Sequence, residues 1–150
     1  MTDYSLLCQQ LESLVEGVPY KVANLANASA LLYETLDNLN WAGFYLLEGD
    51  TLILGPFQGK PACICIPVGK GVCGTAVKNR ETVLVKNVHE FEGHIACDSA
   101  SNSEIVIPIF HDEEIVGVLD IDSPIVGRFD LDDQKGLERF LKILEKEVFN

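Results

Sequence analysis

Runs of lysine or arginine are missing from these 150 residues: 11 basic side chains stand against 23 acidic ones, for a formal net charge of −12. That balance removes the electrostatic footprint that nucleic acids and anionic membrane surfaces require of a partner. No apolar stretch approaches the roughly 20 residues of a membrane span. The N-terminal MTDYSLLCQQ lacks the basic, apolar and small-residue plan of an export signal. The expectation is a cytoplasmic chain with neither nucleic-acid nor membrane partners. Repeats, linkers and low-complexity tracts are absent too. What is present, 47% apolar residues with 23% charged ones scattered among them, suits one well-cored domain spanning 1–150. Five cysteines, an odd number, point to thiol chemistry, metal ligation or plain burial rather than a disulfide scaffold.

Tyr4, Leu7, Cys8, Leu11, Leu14 and Val15 recur at helical spacing, until Gly17 and Pro19 stop the pattern. A second stripe runs through Val22, Leu25, Ala26, Ser29, Leu32, Leu36 and Leu39. After Asn40 the period becomes two. WAGFYLL, a turn at Glu48-Gly49-Asp50, and TLILG predict a β-hairpin with Trp41, Gly43 and Tyr45 on one face. Gly55 to Pro61 reads as a turn-rich loop, ACICIPV as a short strand, GKGVCGTAVKNR as a short helix and ETVLVKN as a strand. His89 to Ser103 reads as a long loop, a length that usually carries a task. EIVIPIF and EIVGVLDID, joined by HDEE, form a second hairpin, and Asp130, Asp132 and Asp133 open a closing helix. The pattern predicts an α+β fold with a largely antiparallel sheet, because hairpin connections exclude a doubly wound parallel one.

Cys63, Cys73 and Cys97 sit in different elements beside polar or glycine-rich neighbours, as reactive thiols do. Cys73 lies near a helix start, where unpaired backbone N–H groups stabilise a thiolate, and Cys97 lies in the long loop. Each cysteine also has a plainer reading as a small buried apolar residue, the one kept for Cys8 and Cys65. Zinc is a rival reading through Cys63, Cys65, His89, His94 and Cys97, but the second closely spaced pair of ligands is missing. Asp120 and Asp122 leave one strand face about 6 to 7 Å apart, either as a solvated strand end or as a paired acid site that Glu104 could join. Trp41 and Tyr45 are either core or the wall of a small pocket. No histidine is assigned a catalytic role.

The stretches NWAGFYLL, ACICIPVGKGVCGTAV, HIACDSASNSEIVIPI and GVLDIDSP, with cysteines at 63, 73 and 97, closely resemble the free methionine-R-sulfoxide reductases, which are single GAF domains. The resemblance covers nearly the whole chain. It implies a sheet of about six strands flanked by helices, a closed pocket for methionine sulfoxide, and a homodimer. It makes Cys97 the nucleophile, Cys63 the resolving thiol and Cys73 an auxiliary thiol. Trp41 and Tyr45 would line the pocket; Glu104, Asp120 and Asp122 would hold the ammonium and assist proton transfer to oxygen. A sulfenic acid on Cys97 would condense to a disulfide that thioredoxin reduces, with no metal or organic cofactor required. Cys65, two residues from Cys63, leaves open which of the two resolves. The alternative reading is a GAF module that senses a small molecule without chemistry. It usually needs a fused output domain, for which one domain leaves no room, although a separate partner could serve.

Overall fold

Leu7, Cys8, Leu11 and Val15 close one apolar stripe of the first helix onto the core, and Asp3 starts that helix by accepting a hydrogen bond from the Leu6 amide at 3.0 Å. The computed structural model describes residues 1–95 and 97–149. Helices α1 (Tyr4–Val15) and α2 (Lys21–Thr35) precede strands β1 (Trp41–Glu48), β2 (Thr51–Gly59) and β3 (Cys65–Pro67). Then come α3 (Gly71–Asn79), β4 (Val83–Val85), β5 (Ser103–His111), β6 (Glu114–Ser123) and α4 (Leu131–Glu147). The strands make one sheet in the order β3-β2-β1-β6-β5-β4, and every neighbouring pair is antiparallel.

Alternation along the central strands divides the core in two. Ala42, Phe44, Ile105, Ile107, Ile109, Leu119 and Ile121 face one way and pack with α1, α2 and α4. Trp41, Tyr45, Val106 and Val118 face the other way, toward Val72, Cys73, Ala76 and Val77 of α3. Helix α4 begins with a reciprocal cap: Asp130 accepts from the Asp133 amide at 2.8 Å, and Asp133 accepts from the Asp130 amide at 3.0 Å. The Tyr4 ring lies where a side chain at Gly136 would stand, and its hydroxyl donates to Asp133 at 2.6 Å, locking α1 against α4.

Four expectations change. Leu14 of α1 and Val22 of α2 are exposed, and the buried stripe of α2 keeps Leu25, Ser29 and Leu32 and adds Asn24 and Ala28. Gly55 to Gly59 is strand rather than loop. Gly43 pairs with Phe57 and Tyr45 with Leu54, so Gly55 and Pro56 together oppose Phe44 as a bulge, where a residue without an N–H is tolerated. The strand in ACICIPV begins only at Cys65. His89–Ser103 contains a short 3-10 turn, Val88–Glu90, at its start and is otherwise irregular up to β5 over its described residues; Ala96 lies outside them.

Candidate active site

Period-two alternation sends Asp120 and Asp122 of β6 to the α3 side of the sheet. Register then supplies their neighbours: Asp122 pairs with Glu104 on β5 and with Trp41 on β1, and Asp120 pairs with Gly43. A side chain at Gly43 would run into Phe57, whose ring stacks on Trp41 at 5.0 Å. All three carboxyls are buried, at 6 to 9% exposure, so the strand end is not solvated. Burial is the main cause that raises each of them above the ordinary carboxylate range, well above it for Glu104 and Asp122. Hydrogen bonds from Glu104 and from the Cys73 thiol offset part of that for Asp120, the least raised of the three. Asp120 Oδ1 is buried and has no hydrogen-bond partner among the described residues. Every cause acting on Glu104 raises it, so of the three it is pushed most consistently toward the protonated form.

Cys63 and Cys97 form a disulfide across 34 positions of sequence, with their Cα atoms 5.5 Å apart. The aromatic wall brings Cys63 there. Trp41 and Tyr45 stack at 5.8 Å; the Trp41 Nε1–H donates to the Lys60 carbonyl at 3.2 Å, and the Tyr45 hydroxyl donates to the Cys63 carbonyl at 2.9 Å. On the other side, Asn40 donates to Asp98 and to Ser101, both at 2.9 Å, and Asp98 also accepts from the Ala100 amide at 2.9 Å. That amide bond first, and Asn40 second, hold Asp98 below its ordinary range, as a firmly ionised anchor for the chain next to Cys97.

Between these parts lies a small cavity bounded by Trp41, Tyr45, Cys73, Cys97 and the three carboxyls. Lys70, Gly71 and Val72 bound it too. They are the start of α3, which has no side-chain cap, and Gly71 takes a left-handed φ of +62° with Ile95 packed against it.

The structure thus brings all eight expected site residues to one place: Cys63, Cys73, Cys97, Trp41, Tyr45, Glu104, Asp120 and Asp122. One detail reverses. Cys73 is buried, and burial, followed by the neighbouring carboxyls Asp120, Glu104 and Asp122, pushes its thiol well above the ordinary range, outweighing the nearby helix start. It is a thiol that donates to Asp120, not a thiolate. The zinc set does not converge: Cys63 is bonded to Cys97, and His89 pairs with Asn102 at 2.8 Å. Cys65 is exposed and free, two residues beyond the disulfide, and Cys8 is buried on the helix side.

Asn40, Lys70, His94, Asp98 and Ser101 were not expected at the site. The loop length and the polar composition around Cys97 signal His94, Asp98 and Ser101, whereas Asn40 and Lys70 lie at the entries to β1 and α3. His94 lies 3.8 Å from Glu104, but burial lowers its pKa while Glu104 keeps its proton, so the two meet as neutral groups rather than as an ion pair.

A GAF domain profile matches residues 23–144. The chain is 57% identical to the Escherichia coli free methionine-R-sulfoxide reductase over 143 residues, covering 95% of this chain and 87% of that protein. It superposes with a TM-score of 0.94 on a Staphylococcus aureus fRMsr solved in complex with substrate, at 58% identity over 99% of this chain and 97% of that one. The Neisseria meningitidis free methionine-R-sulfoxide reductase, also solved with its substrate, gives a TM-score of 0.94 at 46% identity, covering 97% and 88%. With the cysteine pair, the acid cluster and the six-stranded sheet all in place, the chain belongs to the GAF-domain free methionine-R-sulfoxide reductases, a family of oxidoreductases.

Proposed function

We propose that this chain reduces free methionine-(R)-sulfoxide to methionine, with Cys97 as nucleophile and Cys63 as resolving thiol. The observation that carries the reading is the Cys63–Cys97 bond placed beside a cavity with an aromatic wall and a buried acid cluster. Cys97 and Cys73 both border the cavity, but burial disfavours a thiolate on Cys73, so Cys97 is the sulfur suited to attack a bound sulfoxide. Glu104 supplies the proton to the sulfoxide oxygen while the Cys97 sulfur takes that oxygen. Methionine leaves, and Cys97 is left as a sulfenic acid. The Cys63 thiol then attacks the Cys97 sulfur, water departs, and the disulfide forms. Two thiol hydrogens and the sulfoxide oxygen leave together as one water, so the balance closes. The Cys63–Cys97 bond is the product that this step would leave.

The substrate is a zwitterion. Its ammonium belongs against Asp120, whose Oδ1 lacks a partner, and its carboxylate against the uncapped start of α3 beside Lys70. Trp41 and Tyr45 enclose the methyl end. A residue inside a peptide has an uncharged amide in place of the ammonium, which favours the free amino acid. Cys73 serves as an auxiliary thiol that holds the charge of Asp120 in place. The reading extends to thioredoxin as reductant, to a reducing compartment such as the cytoplasm, and to a homodimer.

The test is NADPH consumption with thioredoxin and its reductase, given each sulfoxide epimer both free and peptide-bound. Turnover of the free R epimer alone is expected, with none in Cys97→Ser and release of about one methionine per chain in Cys63→Ser. Ligand recovered unchanged, with all cysteines still reduced, would establish the sensing module instead.

A further inference from the structure

Outside the disulfide, one buried cluster has the chemistry of a metal site. The Cys73 sulfur and carboxylate oxygens of Glu104 and Asp120 all lie within 4.8 Å of one another. All three residues line the cavity, and Asp120 Oδ1 is a buried acceptor left without a partner among the described residues. We propose that Cys73, Glu104 and Asp120 form an inhibitory site for a thiophilic divalent cation of the zinc class, which excludes the amino acid from the cavity.

Donor type selects the metal. One sulfur with two carboxylates suits zinc or cadmium, whereas magnesium and calcium require oxygen throughout. Tetrahedral zinc, with bonds of about 2.0 to 2.3 Å, sets its donor atoms about 3.5 Å apart. The cluster must therefore contract by roughly 1 Å, within the reach of side-chain rotation. Three protein donors leave a fourth position, which faces the cavity and can take water. Binding replaces the protons on the Cys73 thiol and the Glu104 carboxyl, so affinity rises with pH. Competition follows from geometry, since the cation takes the carboxylates that the ammonium would use; that part alone rests on the function proposed above.

The experiment uses Cys65→Ser protein in the disulfide form. Cys63 and Cys97 then offer no thiols, and the remaining free cysteines are Cys73 in the cluster and Cys8 on the other side of the sheet. Cadmium chloride is titrated while the ultraviolet thiolate-to-cadmium absorption is followed, and zinc chloride is titrated calorimetrically. One equivalent of each metal is expected to bind. The absorption should vanish on adding Cys73→Ser, zinc should bind at least tenfold more weakly on adding either Cys73→Ser or Asp120→Asn, and excess free methionine should weaken both metals. An absorption that never develops or that survives Cys73→Ser overturns the site, and one that methionine leaves untouched overturns the exclusion of the amino acid. Turnover of the free R epimer by metal-free protein is a separate measurement, so failure here leaves the reductase reading standing and the reverse.

Discussion

Glu104 is where stability and chemistry conflict most directly. Buried beside Asp120 and Asp122, it keeps its proton in the folded chain at pH values where the unfolded chain, with an ordinary Glu near 4.3, has lost it. A raised folded pKa means that its contribution is fully present below about pH 4 and is lost as pH rises toward the folded value, with a slope of up to about 1.4 kcal/mol per pH unit. Glu104→Gln keeps the shape and a donor but cannot ionise. Denaturant unfolding should show this variant as stable as the parent near pH 4 and more stable at pH 7 to 8, while turnover falls about 100-fold or more for want of the proton. Equal stability at both pH values would mean that Glu104 ionises freely in the fold. The acid cluster itself is legible in the sequence, because Asp120 and Asp122 alternate with Leu119 and Ile121 and Glu104 starts the strand before. Its depth is not, since β1 and α3, which cover it, come from distant parts of the chain. The protonation of Cys73 is misread for the same reason: a helix start is a local signal, while the carboxyls that outweigh it arrive through sheet register.

At the scale of elements, the loop next to Cys97 is held by Asn40, at the entry to β1, through its bonds to Asp98 and Ser101. Asn40→Ala removes both bonds and slackens the segment that, in the proposed cycle, presents Cys97 to the substrate and then to Cys63. The expected result is a fall of about tenfold in the rate of disulfide formation after one addition of substrate, about what a net loss of 1 to 2 kcal/mol implies. Quenched-flow thiol counting measures it. Asp130→Ala makes the contrast: it removes the cap of α4, on the far side of the sheet from the cavity, and should lower stability by about 1 kcal/mol with kcat unchanged. A matching loss of activity in Asp130→Ala would show that the helix side of the sheet controls the site. Helix and hairpin positions are readable because each rests on a local period. The continuation of β2 through Gly55 and Pro56 is not, because those residues announce a turn and only the facing strand, with Gly43 opposite Phe57, turns them into a bulge.

Across the whole molecule, the sheet separates two tasks. The face carrying Phe44, Ile107 and Leu119 is packed by three long helices, and the opposite face carries the buried acids beneath α3. The disulfide joins the segment before β3, an edge strand, to the loop before β5, an interior strand, and closes a chain segment spanning 34 positions. Constraint of the unfolded chain by a loop of that size stabilises the fold by about 4 kcal/mol, or about 10 °C in Tm for a chain of this length. If turnover ends in this bond, the substrate itself should change the melting temperature. Reduced protein given one equivalent of free methionine-(R)-sulfoxide, with no other reductant, should melt about 10 °C higher, and a dithiol should reverse the gain. The S epimer and methionine should leave the reduced value nearly unchanged, because neither forms the bond. Cys63→Ser should show no gain with either epimer although it still releases methionine, which separates the covalent constraint from simple ligand binding. A gain of the same size in Cys63→Ser would place the stabilisation in the occupied cavity and remove the disulfide from the catalytic cycle.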